Sequence, residues 1–183
     1  MKKRIIALGL LWCLFAVMLQ AARVDTVLVR SAAMNKDVKV VYVLPDKAIG
    51  KQACPVVYLL HGYGGNARSW VQLKPELPQM ADEKGIIFVC PDGKNSWYWD
   101  SPENPAYRYE TFVTSELVKY TDGNYATIPD RKARAISGLS MGGHGALWSA
   151  IRHKDVFGAA GSMSGGVDIR PFPQNWEMSK QLG

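Results

Sequence analysis

Residues Gly138-Leu139-Ser140-Met141-Gly142 read G-x-S-x-G, the spacing that holds a serine on a sharp turn between a strand and a helix. Such a turn crowds the Cβ atoms on either side of the serine, and glycine has none. A hydroxyl lifted clear of the backbone in this way can attack a carbonyl once a base takes its proton. A five-residue pattern arises readily by chance in a glycine-rich chain, so its flanks must decide. Before it, Ala133-Arg134-Ala135-Ile136-Ser137 is short and largely apolar, as a buried parallel strand would be. After it, Ala146, Leu147, Ala150 and Ile151 fall at helical spacing. Strand, tight turn and helix are the setting the motif requires.

Other elements must position this turn. Residues 24–32 and 37–44 read as strands, the second alternating in a way that suits an antiparallel partner near a sheet edge. Val56-Val57-Tyr58-Leu59-Leu60 and Ile86-Ile87-Phe88-Val89-Cys90 are continuous apolar runs, hence central strands. A helix is expected over residues 75–84, between Pro75 and Gly85, and another over 107–120. Phe157 to Met163 reads as a sixth strand, and 164–183 shows no clear pattern. Strands alternating with helices give an α/β fold with a mostly parallel sheet. Ligands bind such sheets at the carboxyl ends of the strands, and His61, Asp92, Ser140 and Ser164 all lie just past strand ends.

The N-terminus reads as an export signal over residues 1–22. Lys2, Lys3 and Arg4 precede an uncharged apolar stretch from Ile5 to Leu19, and Gln20-Ala21-Ala22 offers small residues for cleavage. The stretch is short for a membrane span, so the mature domain, residues 23–183, is expected in the periplasm or outside the cell, free of the membrane. Losing the three basic signal residues lowers the formal charge from +6 to +3. With no dense Lys/Arg cluster, nucleic acid is not an expected partner. Cys54 and Cys90 would sit at opposite ends of neighbouring strands, about 15–20 Å apart, too far for a disulfide. Both are therefore expected as free buried thiols. No Cys/His spacing suggests a metal, and no cofactor is expected.

Several motifs together resemble one branch of a known superfamily. Leu59-Leu60-His61-Gly62-Tyr63-Gly64-Gly65, Pro91-Asp92-Gly93, Asn95-Ser96-Trp97-Tyr98, Tyr109-Glu110-Thr111 and Gly138-Leu139-Ser140-Met141-Gly142-Gly143 occur in the order of the esterase D-like α/β-hydrolases. That branch includes feruloyl, acetyl-xylan-type and tributyrin esterases, S-formylglutathione hydrolases and mycolyl transferases. The resemblance runs over about residues 36–170. It implies an α/β-hydrolase three-layer sandwich with the last strands and helices absent from these 183 residues. It also implies Ser140 as the nucleophile attacking an ester carbonyl. The oxyanion that forms needs fixed backbone donors. One is the N–H of the residue after the nucleophile, Met141, and the resemblance assigns the other to Tyr63. On this reading His61, Gly62, Trp97, Tyr98 and Asp100 are the expected substrate-binding residues. The Trp97-Tyr98-Trp99 loop suits a sugar or aromatic acyl group, or equally a buried apolar plug.

In this fold the triad acid and then the histidine follow the serine in sequence. Residues 141–183 hold only His144 and His153. His144 lies on the helix leaving the turn and reads as a packing or rim residue. His153 lies near that helix's C-terminus, where a cation is favourable anyway. Asp168 comes one strand too early for the family's acid. The acid and histidine are therefore expected beyond Gly183, and the chain as it stands is expected to turn over little or no ester.

The leading expectation is an exported serine carboxylesterase acting on acylated plant polysaccharide fragments or short acyl esters. Acyl transfer to an alcohol is a close variant, and a non-catalytic carbohydrate-binding protein on the same fold is the alternative. Gly62-Tyr63-Gly64-Gly65-Asn66-Ala67 also satisfies a dinucleotide-loop pattern, but Pro75 and Pro78 interrupt any long helix after it.

Overall fold

The structure, a computed structural model, describes residues 22–172, 174–176 and 178. The expected export signal lies outside the described residues apart from Ala22. Among the described residues, no helix is long and apolar enough to cross a membrane.

Six strands form one sheet in the order β1-β2-β4-β3-β5-β6. β1 (Arg23–Ser31) and β2 (Lys36–Leu44) pair as an antiparallel hairpin, and β2 runs antiparallel to β4 (Ile87–Pro91). From there β4, β3 (Val56–Leu60), β5 (Arg134–Leu139) and β6 (Ala159–Met163) are parallel. The alternation of side chains along each strand feeds two cores. Tyr42, Tyr58, Leu60, Val89 and Ile136 face one cluster, while Val41, Val43, Leu59, Phe88 and Cys90 face the other. That is why β3 and β4 read as continuous apolar runs: both of their faces are covered.

Six helices complete the layers among the described residues. α1 (Asp46–Ile49) follows β2. α2 (Ser69–Leu73) and α3 (Leu77–Lys84) cover one face through Trp70, Leu77 and Ala81. α4 (Tyr109–Thr111) runs through a π-helical turn, Phe112–Glu116, into α5 (Leu117–Asn124). With α6 (Met141–Arg152), they cover the other face through Phe112, Leu117, Met141 and Ala146.

The helix expected over 75–84 is α3, and the short α2 before it is an additional element, separated from α3 where Lys74, with ψ of 79°, precedes Pro75. A residue before proline is driven out of the helical region. The helix over 107–120 contains the wider π turn, which buries the consecutive side chains Phe112, Val113 and Thr114. A search for regular helical spacing does not reveal such a turn. Cys54 and Cys90 are free and buried, as expected. The register of Val56 against Ile87 places them about 17 Å apart at ~3.3 Å per residue, and burial pushes the Cys90 thiol up to about 12. β6 forms one edge of the sheet, with Met163 42% exposed.

Glu110 ties α6 to the layer beneath it. Its buried carboxylate accepts hydrogen bonds from Trp148 Nε1 (2.7 Å), Arg152 Nε (2.7 Å) and His153 Nε2 (2.8 Å). Burial alone would raise this carboxyl, but those three donors outweigh it and hold it below the usual carboxylate range. Glu110→Ala strands all three donors. Urea unfolding should show a loss of about 1–3 kcal/mol, and an unchanged midpoint would contradict this clamp.

Candidate active site

Ser140 follows directly on β5 and begins α6. Its backbone has φ of 55° and ψ of −116°, a combination costing about 1–3 kcal/mol for a residue with a Cβ. Two backbone hydrogen bonds hold it there. Ser140 N–H donates to the Met163 carbonyl of β6 (2.8 Å), and the Ser140 carbonyl accepts from His144 N–H (3.0 Å). The flanking glycines allow the close packing. A Cβ on Gly142 would lie 2.1 Å from the Leu60 carbonyl oxygen, and one on Gly138 would lie 2.2 Å from the Gly142 oxygen. Helix α6 thus starts in direct contact with the end of β3. The serine itself is exposed.

Beside it lies the turn after β3. A methyl on Gly62 would sit 3.5 Å from Ser140 Cβ, so this turn borders the serine, with Tyr63 as its next residue. The turn is closed by Gly65 N–H donating to the Gly62 carbonyl (3.0 Å), with Gly64 at φ of 75°. Gly64 N–H donates to Asn95 Oδ1 (2.8 Å). Met141, on the other side, occupies the first helical position of α6, whose N–H has no acceptor within its own helix. The positive end of the helix dipole reinforces that donor. An open hollow of about 460 Å³, lined by Gly62, Tyr63, Leu73 and Leu139 among others, adjoins the turn.

The expected substrate-binding residues separate into two groups. Gly62 lies at the serine. His61, Trp97 and Tyr98 are buried, at 2%, 3% and 0% exposure, and support the site from below. His61 Nε2 accepts from Gly93 N–H (2.9 Å), which assigns the ring proton to Nδ1, bonded to the Gly62 carbonyl at 2.7 Å. Tyr98 OH donates to the His61 carbonyl (3.2 Å), and burial raises the phenol well above its ordinary value. Trp97 packs against His144, Trp99 and Trp176 with ring centroids 5.3, 6.3 and 5.7 Å away. Of the two readings left open for this loop, the plug is the one realised for Trp97 and Tyr98. Asp100 accepts from the Thr111 backbone N–H (3.0 Å) and hydroxyl (2.5 Å), so it anchors the junction of α4 with the π turn. Spacing alone cannot tell a side chain facing substrate from one facing the core.

None of the three histidines in the sequence serves Ser140 in this arrangement. His61 is committed to the Gly62 and Gly93 backbone. His144 Nδ1 bonds the Gly166 carbonyl (2.7 Å), and burial lowers this histidine despite that bond. His153 is held by Glu110. Asp168 forms an exposed ion pair with Arg170 (2.7 Å).

Asp92 is the site's most perturbed acid. Burial pushes its carboxyl up, but the Lys94 backbone N–H (3.0 Å) and ammonium (2.8 Å) outweigh that and hold it well below the carboxylate range. The sequence reading placed Asp92 on the rim without a role, and its Pro-Asp-Gly context was the available signal.

A serine in the left-handed region between strand and helix, on a mostly parallel sheet covered on both faces, defines the α/β-hydrolase class. Within that class the chain belongs to the Esterase family, whose model matches residues 31–181. It is 28% identical over 135 residues to an acetyl esterase of Caldicellulosiruptor saccharolyticus, covering 69% of this chain and 50% of that protein. It is 34% identical over 155 residues to the diacylglycerol acyltransferase/mycolyltransferase Ag85A of Mycobacterium gordonae, covering 79% and 43%. Among solved structures, a ferulic acid esterase superposes with a TM-score of 0.74 at 30% identity, over 88% of this chain and 67% of that one. The chain thus spans about half the length of the curated relatives it matches.

Two outcomes check this geometry. Asp92 has a depressed folded-state value, so its stabilisation is complete above the unfolded value of about 4 and fades as pH falls below it. Thermal unfolding between pH 3 and 6 should therefore steepen in the native chain and flatten in Asp92→Asn; parallel curves would contradict the assignment. Gly142→Ala forces a methyl onto the Leu60 carbonyl and should lower stability by more than 1 kcal/mol in urea; an unchanged midpoint would refute that contact.

Proposed function

We infer that the protein works on carboxylic esters through Ser140, as an exported esterase. Ser140 Oγ attacks the acyl carbonyl, and the Met141 and Tyr63 backbone N–H groups stabilise the oxyanion. The observation that carries this reading is the exposed serine at φ of 55°, at the head of α6 and against the Gly62 turn. Each such donor contributes about 2.7–4 kcal/mol to transition-state stabilisation. The acid and base belong to sequence after Gly183. Support for that comes from the engagement of all three histidines elsewhere and from the greater length of the relatives.

Acylated plant polysaccharide fragments are the proposed substrates, with short acyl esters as the simpler case. Acetyl and ferulic acid esterases among the relatives support hydrolysis. The mycolyltransferase relative supports acyl transfer as a variant, which product analysis with a carbohydrate acceptor distinguishes. The basic-then-apolar N-terminal sequence supports export to the periplasm or beyond.

The gene should encode an Asp or Glu and then a His within roughly 100 residues after Gly183. The full gene product should hydrolyse p-nitrophenyl acetate, and Ser140→Ala should lower kcat/KM by about 10⁴-fold or more. The 183-residue chain alone should show little turnover. Efficient hydrolysis by that chain, lost in Ser140→Ala, would overturn the assignment of acid and base to later sequence. Retained activity in the full-length Ser140→Ala variant would overturn the nucleophile.

A further inference from the structure

A charged groove runs along the rim of the sheet, away from the serine on the side of the oxyanion turn. It consists of two hollows that share Lys94. One, of about 250 Å³, is lined by Gly64, Gly65, Asn95 and Tyr107. The other, of about 230 Å³, is lined chiefly by Lys36, Lys39, Asp92 and Tyr109. The sheet order fixes how far this groove extends. Ser140 follows β5, Gly62 follows β3, Asp92 follows β4 and Lys39 lies on β2, and these strands are consecutive neighbours. Three strand spacings place Lys39 about 15 Å from the nucleophile on the same rim.

The charges in the groove do not balance one another. Asp92 spends both carboxylate oxygens on Lys94. Asp37, the other acid lining the groove, faces Arg30 at 3.6 Å. Among the described residues, neither Lys36 nor Lys39 has a carboxylate partner within 4.0 Å. Lys36 donates to the Ala106 carbonyl and lies over the rings of Tyr109 (4.7 Å) and Tyr107 (5.2 Å), which fixes its ammonium at the groove wall. Burial, and then repulsion from Lys94, lower this lysine. A bound anion would relieve that repulsion. Lys94 itself holds φ of 50°, a left-handed backbone that is uncommon outside glycine, and its ammonium lies on Asp92 Oδ2 (2.8 Å).

We propose that this groove binds a carboxylate carried on the alcohol portion of the ester, so that the substrate is an acidic glycan of the uronic-acid type. The proposal rests on the ester reading of Ser140. The hollow lined by Tyr63, Leu73 and Leu139 is the less polar neighbour of the serine and suits the acyl group. The lysine groove begins on the far side of Gly65, which lines both hollows, and suits the remainder of the molecule. Carboxylates on successive sugars would meet Lys94 and then Lys36 and Lys39, while Tyr107 offers a ring to a sugar face. A stretch of about 15 Å calls for an oligomer rather than a single sugar.

Titration calorimetry of the full gene product with trigalacturonate and with neutral xylotriose, neither of which carries an ester, tests this without requiring turnover. Trigalacturonate should bind about tenfold tighter at low salt, and the preference should shrink as salt rises. Lys36→Gln and Lys94→Gln should each weaken trigalacturonate by about two- to fivefold and leave xylotriose unchanged. Lys119→Gln, on α5 away from the groove, should change neither. Equal binding of the two glycans, or a preference untouched by the lysine variants, would overturn the subsite while leaving the esterase reading intact. Binding of neither glycan would also overturn the subsite. The esterase reading is judged separately, by p-nitrophenyl acetate and the Ser140→Ala variant.

Discussion

Everything at this site depends on one close approach, that of the first turn of α6 against the end of β3. Gly142 packs onto the Leu60 carbonyl with no room for a methyl group. That contact sets the axis of the helix. It also leaves the residue between β5 and α6 only the left-handed backbone seen at Ser140. The strain, of order 1–3 kcal/mol, is maintained by the ladder from β5 to β6 on one side and the Ser140–His144 helical bond on the other. A serine in that position has its hydroxyl presented at the rim, and the following N–H is unspent because it opens a helix. The presented hydroxyl and the unspent N–H are therefore two results of one packing constraint.

The neighbouring loops are organised to hold the second half of the site. His61 uses both ring nitrogens on backbone, one on its own turn and one on Gly93, so the turns after β3 and β4 move as a unit. Asn95 and Tyr98 add bonds to the same pair of turns. Buried aromatic side chains with left-handed backbone at Trp97 and Tyr98 fill the space behind α6. These residues hold the backbone beside Ser140 in place. Glu110 closes the arrangement at the far end of the helix by collecting Trp148, Arg152 and His153.

Much of this was legible in the sequence, for identifiable reasons. The continuous apolar runs of β3 and β4 and the G-x-S-x-G turn are local patterns that report directly on burial and sterics, and their places in the fold matched. The exit of α6 likewise followed from the spacing of Ala146 and Ala150. Legibility failed where meaning depends on the partner across space. Trp97, Tyr98 and Asp100 are polar or aromatic residues in a rim loop, and nothing local says that the first two point inward or that Asp100 caps Thr111. Pro75 correctly marks the start of α3, whereas the five-residue α2 before it is too short to leave a periodic signal. The π turn over Phe112–Glu116 left no local mark, because an extra residue in a helical turn preserves composition while shifting phase.

The central claim is that the turn at Ser140 is a preassembled nucleophile site whose base comes from later sequence. Peptide mapping by mass spectrometry after reaction with a fluorophosphonate tests it most directly, on the full gene product and on the 183-residue chain side by side. The account predicts modification at Ser140 in both, fast in the full product and much slower in the shorter chain. Modification of a different residue, or none at all in the full product, would contradict it.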